Sequence, residues 1–179
     1  SLHDALPISF ASPNYPALAA LGTGVEIRER LVRRPSAPST SDIDLREINV
    51  PAVVGAFRLF PGLSPRILEN MLQPPLRGLV LETYGSGNGP TGDKEFLRVL
   101  REANARGVVI VDCTQCLKGT VDLSKYATGA DLAEVGVLSG YDMTPEAALT
   151  KLAYLLSISD DVAQIRAWMQ EDLRGELSR

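Results

Sequence analysis

The chain has 179 residues, 45% of them hydrophobic and 22% charged, which excludes a disordered or collagen-like chain. A chain of this length buries roughly 70% of the surface it exposes when unfolded, so it needs no disulfide or metal staple. The formal charge of −4 comes without any Lys/Arg block, which argues against a nucleic-acid partner, and runs such as Gly107–Val111 are too short to span a membrane.

Residues 1–8 (Ser-Leu-His-Asp-Ala-Leu-Pro-Ile) lack the cationic start, apolar stretch and small-residue cleavage site of a signal peptide. Their back-translation resembles a sequencing adapter read in frame, so they are expected to be foreign to the protein. Without them the only histidine, His3, is lost, and 18 basic residues face 21 acidic ones, a net charge of −3. A Ser-His-Asp triad or Cys-His pair then has no histidine to use. Zinc would have to rely on two thiolates and carboxylates, so no metal site is expected.

Residues 10–21 read as a loop and short helix, and Val25–Val32 as a half-exposed strand. The Pro/Ser-rich stretch that follows is predicted to be a linker over 35–48, with 9–34 the tail of a preceding domain and 49–179 the compact domain. Within that domain Ala52–Phe60 reads as a strand, followed by a short helix with Ser64 as N-cap and Pro65 in its first turn. Gly78–Tyr84 is the next strand. Asp93–Arg106 is a helix with Phe96, Leu97 and Leu100 on one face. The uninterrupted apolar run Gly107–Val111 suits a parallel strand covered on both sides.

A fourth strand is expected at Val135–Leu138. Thr144-Pro145 caps a helix carrying Leu149, Leu152 and Leu156. Ser159 is placed to cap a last helix carrying Val162, Ile165 and Met169, with Trp168 read as core or interface rather than a binding platform and Gly175 to stop the helix. Alternating strands and helices imply a Rossmann-like, three-layer α/β domain with an open, mainly parallel sheet of about four strands.

Three stretches carry chemistry. Gly87, Gly89 and Gly92 satisfy a G-x-G-x-x-G spacing between strand and helix, and Asp112 ends the next strand where a ribose-binding carboxylate belongs. Pro90 removes an N–H from that turn and the connection from Thr83 to Asp93 is long, which argues against a dinucleotide cradle; a plain turn with Asn88 as its left-handed residue comes first, and a small-ligand loop second. Cys113-Thr114-Gln115-Cys116 is a C-x-x-C at a strand end with no helix signal after it, which favours two ordinary thiols over redox chemistry and points to a reducing compartment. Tyr126-Ala127-Thr128-Gly129 brings two hydroxyls to the same end of the sheet as Asn88 and Thr114, where ligands of parallel sheets bind. Tyr126 as a buried ring and Thr128 as a helix cap are the structural alternatives.

Leu81-Glu82-Thr83-Tyr84-Gly85-Ser86-Gly87-Asn88-Gly89-Pro90, the C-x-x-C stretch, Tyr126–Gly129, Asp142-Met143-Thr144 and Leu173-Arg174-Gly175-Glu176 together resemble the C-terminal half of type I (cytoplasmic) L-asparaginases. The glycine-rich wording leans toward the branch with animal 60 kDa lysophospholipase-type asparaginases. The resemblance implies hydrolysis of L-asparagine to L-aspartate and ammonia, no cofactor, a cytoplasmic homo-oligomer built from intimate dimers, and no nucleic-acid or membrane partner. The family's Thr-Gly-Gly-Thr nucleophile motif and its His-Gly-Thr-Asp motif are absent, so no catalytic residue is expected in this chain.

What the resemblance assigns here is accessory. Asn88, with Gly87, Tyr126 and Thr128 around it, is expected to reach the amino-acid end of a substrate in a neighbouring subunit's site, its amide oxygen accepting from the α-ammonium. Bacterial type I enzymes also carry an allosteric asparagine site. Thr114 and Cys116 match its Thr-Gln-Cys, but Glu82 stands where its arginine belongs. A carboxylate cannot pair with the effector's carboxylate, which argues against that control here. The rival expectation is a non-catalytic nucleotide- or amino-acid-binding Rossmann-like module.

Overall fold

The structure, a computed structural model, describes residues 13–32, 34 and 53–178. The expected adapter residues and the whole of the expected linker, including Asp42, Asp44 and Glu47, lie outside them. The chain divides into two compact units, residues 1–47 and 48–179, and each is described by itself.

In the first unit the expected short helix is replaced by a strand. β1 (Ala19–Leu21) pairs antiparallel with β2 (Val25–Ile27), with Leu21 opposite Val25 and Ala19 opposite Ile27. The Gly22-Thr23-Gly24 connector makes the hairpin, since two glycines in a three-residue loop favour reversal over helix propagation. β2 ends at Ile27, where its three-residue partner runs out, and a 3₁₀ turn at Glu29–Leu31 takes the rest of the expected strand.

The second unit is the expected three-layer α/β domain. β3 (Val54–Arg58), β4 (Gly78–Thr83), β5 (Val109–Thr114) and β6 (Leu138–Ser139) lie side by side in sequence order, all parallel. α1 (Pro65–Met71) and α2 (Lys94–Ala105) connect them, and α3 (Ala127–Glu134) lies between β5 and β6. α4 (Pro145–Ile158) and α5 (Val162–Met169) follow. Strand pleating sorts the core into two faces. Leu79, Leu81 and Ile110 meet Leu68, Phe96, Leu100 and Leu132 on one. Val80, Val109, Val111 and Cys113 meet Leu152, Leu155, Ile165 and Met169 on the other. Every residue of β5 is buried, as an apolar run covered on both sides requires.

Several boundaries differ for local reasons. β6 begins at Leu138 rather than Val135 because Gly136, at φ +90°, ends α3 and directs the Val137 N–H back to Leu132 O at 3.0 Å. α5 is capped by Asp161, whose Oδ1 accepts from Ala163 N and Gln164 N at 2.9 and 3.1 Å, while Ser159 Oγ accepts from Asp161 N at 3.1 Å. The helix ends at Met169 and not near Gly175, because the next residue, Gln170, is tied sideways to Ser139 O at 2.7 Å. Ser64 holds the N-cap position of α1 without a side-chain bond. Val99 and Ala103, rather than half-buried Leu97, complete the buried stripe of α2. Leu155 and Ala148 join Leu152 and Leu156 on α4, leaving Leu149 and Trp168 at the core's margin. No helix among the described residues is long and apolar enough to cross a membrane.

Candidate functional site

The candidate site forms at the carboxyl ends of β4 and β5. Past Thr83 the chain closes a five-residue loop in which Tyr84 N donates to Asn88 O at 2.9 Å and Asn88 N to Tyr84 O at 2.8 Å. Gly87 sits in it at φ +108°. A Cβ there would lie 3.0 Å from Val121 Cγ1, 3.1 Å from Asp112 Oδ2 and 3.2 Å from Leu123 Cδ2. The loop backbone therefore rests directly on the Asp112 carboxyl and on the 121–123 segment, whose Asp122 N–H also donates to Ser86 O at 3.0 Å. The loop is a braced turn, and only a residue without a side chain fits its underside.

The same segment seats α3. A Cβ on Gly129 would lie 2.7 Å from Leu123 O and 2.9 Å from Leu123 Cα, so this glycine lets the helix approach the backbone closely. That approach delivers Thr128, whose hydroxyl donates to Asn88 Oδ1 at 2.5 Å. Thr128 is thus not the helix cap; Tyr126 occupies that position without a side-chain cap bond. Tyr126 is 51% exposed, with Lys125 Nζ 5.6 Å from its ring centroid, so the buried-ring alternative is also overturned. Gly87, Asn88 and Thr128 come together in one cluster, and Tyr126 opens the helix that carries Thr128.

Asp112 is fully buried. Its Oδ1 accepts from Thr83 Oγ1 at 2.7 Å, and Oδ2 has no hydrogen-bond partner among the described residues. Burial pushes its carboxyl up to about 7, against the opposing pull of the Thr83 bond. Buried beneath Gly87, it cannot hold a ribose. Two further features exclude a dinucleotide cradle. Among the described residues the strand order never reverses, so these four strands form no switch-point crevice. The first N–H groups of α2 are already taken by Asp93, which accepts from Glu95 N at 2.9 Å and Phe96 N at 3.4 Å.

The residues expected at the allosteric position line the adjoining strand ends. Glu82 is ion-paired with Arg58 at 2.6 Å. Buried Thr114 accepts from Cys116 N through its Oγ1 at 3.0 Å, and Gln115 Nε2 bridges Leu59 O and Glu82 O at 2.8 and 2.9 Å. Both thiols are free: Cys116 is exposed, while burial and the neighbouring Asp112 charge raise the Cys113 thiol well above its ordinary range. The next helix after the C-x-x-C, α3, does not begin until Ala127, so no helix N-terminus sits at either thiol, in keeping with ordinary thiols.

Sequence reasoning missed three groups. Arg58 as partner of Glu82 and Asp112 as the floor of the loop carry no periodic signal. Lys151 does, standing among leucines on the buried side of α4. Its Nζ pairs with Glu176 Oε1 at 2.6 Å, and the Glu176 carboxylate also accepts from Leu173 N and Arg174 N. Burial alone would raise Glu176, but these bonds prevail and hold it at about 2.

Comparison with known proteins accounts for this arrangement. Residues 53–169 match the model of the Glutaminase/Asparaginase C-terminal domain. The chain is 45% identical over 170 residues to L-asparaginase 1 of Escherichia coli K12, covering 95% of this chain and 49% of that protein. It is 43% identical over 173 residues to the human 60 kDa lysophospholipase, covering 95% of this chain and 29% of that protein. Among solved structures, L-asparaginase I from Vibrio cholerae superposes with a TM-score of 0.86 at 40% identity, over 96% of this chain and 50% of that one. The chain spans about half the length, or less, of the curated relatives it matches. The chain belongs to the Glutaminase/Asparaginase C-terminal domain family.

Proposed function

We propose that the chain is the C-terminal part of an L-asparaginase that hydrolyses L-asparagine to L-aspartate and ammonia, and that its share of the work is to complete a substrate site. The acyl-transfer threonine and the groups that activate it belong to the half of the enzyme not spanned here. In this reading residues 9–34 are the end of that catalytic half, 35–48 a linker and 49–179 the completing domain, working as a cytoplasmic homo-oligomer. Asn88 reaches the amino-acid end of the substrate in a neighbouring subunit's site, with Gly87, Tyr126 and Thr128 around it. The observation that carries the reading is the braced glycine loop, which holds one hydrogen-bonding amide rigidly at the carboxyl end of the sheet. A preorganised amide of this kind orients a ligand without taking part in bond breaking. The relatives named as L-asparaginases support asparagine as that ligand.

The test joins this chain to the N-terminal half of the Escherichia coli L-asparaginase 1. Ammonia release from asparagine by the joined protein, lowered by Asn88→Ala, supports the reading. A folded, oligomeric joined protein that releases none, or one indifferent to Asn88, counts against it.

A further inference from the structure

We propose that Thr128 is a positioning residue that turns the Asn88 amide oxygen inward and its NH₂ outward, so that the glycine loop meets a ligand as a hydrogen-bond donor and takes a carboxylate rather than an ammonium. The inference deepens the proposed function and rests on it. It reverses the sense of contact that the family resemblance implied for Asn88.

The structure turns the Asn88 amide oxygen toward α3: Thr128 Oγ1 donates to Asn88 Oδ1 at 2.5 Å, within the range of hydroxyl-to-oxygen hydrogen bonds. A hydroxyl has one proton to give, and here the amide oxygen receives it. The hydroxyl itself is not free to search. Gly129, next in the chain, is packed against the Leu123 backbone at distances that admit no side chain, so the first turn of α3 has one seat.

The nitrogen stands on the other side. Asn88 Nδ2 lies 3.7 Å from where a Cβ on Gly85 would be, and it has no hydrogen-bond partner among the described residues. Asn88 is half-buried and its Oδ1 is engaged by Thr128, which leaves the NH₂ as the end of the amide still available to a ligand. An NH₂ offers two protons and no acceptor, which suits a carboxylate. An ammonium, itself only a donor, would meet it proton against proton.

Two experiments decide this. In the 179-residue chain, nuclear Overhauser contacts from the Asn88 side-chain amide protons should run to the Gly85 α-protons. Contacts to the Thr128 β-proton and methyl group instead would mean the amide is reversed and overturn the proposal.

In the joined protein described above, Asn88→Asp preserves the acceptor for Thr128 but replaces the outward NH₂ by a charged oxygen. KM for asparagine should rise roughly ten- to a hundredfold, with a smaller change in kcat, the scale of a lost hydrogen bond to a charged group. An unchanged or lowered KM is what an ammonium contact requires, and it overturns the proposal. Thr128→Val, which frees the amide to turn, should raise KM about threefold or more, and Thr128→Ser should restore it. Loss of kcat and melting temperature together in Thr128→Val, with no rescue by serine, would mark Thr128 as merely structural. If the joined protein with Asn88 intact releases no ammonia, the functional reading fails, and the amide's orientation is still decided by the magnetic resonance measurement.

Discussion

Lys151 Nζ lies 2.6 Å from Glu176 Oε1, and through this pair α4 holds the turn formed by Leu173-Arg174-Gly175-Glu176. The lysine also donates to Met169 O at 3.3 Å and to Glu171 O, so one ammonium gathers the exit of α5 and the turn beyond it. Only 5% of its side chain is exposed, and 15% of the glutamate's. Removing one partner strands the other charge in a poorly solvated place. Glu176→Ala should cost about 3 kcal/mol, the low end for a buried pair, in chemical denaturation. Lys151→Met with Glu176→Leu should recover most of it.

The same pair gives an acid limb to stability. Glu176 is held at about 2, below its ordinary 4.5, so the unfolded chain binds the proton more readily in that interval. The contribution is complete above about pH 4.5 and should vanish as pH falls toward 2. In Glu176→Gln this portion of the pH–stability curve should flatten.

Asp112 acts in the opposite direction. Its carboxyl is raised to about 7 from 3.8, so the folded chain keeps a proton that the unfolded chain releases. Stability should therefore fall as pH rises through that window, by on the order of 2–4 kcal/mol, and level off above it. Asp112→Asn keeps an acceptor for Thr83 and carries no charge, so its unfolding free energy should stay nearly constant from pH 4 to 7. An equal decline in that variant would place the titrating group elsewhere.

The two loop glycines should respond differently. Gly85, at φ +55°, has only Asn88 Nδ2 near a prospective Cβ, at 3.7 Å. Gly85→Asn should cost less than about 1 kcal/mol, because asparagine tolerates the left-handed region. Gly87→Asn must adopt φ +108° and push into Val121, Asp112 and Leu123. It should cost about 2–4 kcal/mol and displace Asn88, as read by denaturation and by the Asn88 amide resonance.

The chain should not bind NAD. A pyrophosphate at the start of α2 would face the Asp93 carboxylate that already caps it, and Asp112 is buried beneath Gly87. Calorimetric titration with NAD to about millimolar should give no saturable heat. Saturable binding weakened by Asp112→Ala would contradict this.

Much of the architecture was legible residue by residue because its causes are local. The run Gly107–Val111 needs no partner to be identified as a doubly covered strand, and Thr144-Pro145 announces a helix through capping chemistry alone. Where neighbours compete, local propensity does not decide the element. Val135–Val137 has strand-forming residues, but Gly136 spends them on ending α3. Leu18–Leu21 has apolar residues suited to a helix, but Val25–Ile27 lies across a short turn and pairs with it.

The site divides in the same way. Sequence by itself determined which residues could serve, because glycine spacing, an amide and hydroxyls are properties of the chain. It also determined that the described motifs belong to an asparaginase C-terminal domain. Only the tertiary structure decided that Thr128 donates to Asn88 instead of capping its helix, that Asp112 is a buried floor and not a ligand group, and that Glu82 is neutralised by Arg58. The reason is that a side chain's chemical role depends on which groups from distant segments reach it and how much water is left around it. Both are set by how α3 and the 121–123 segment close over the ends of β4 and β5.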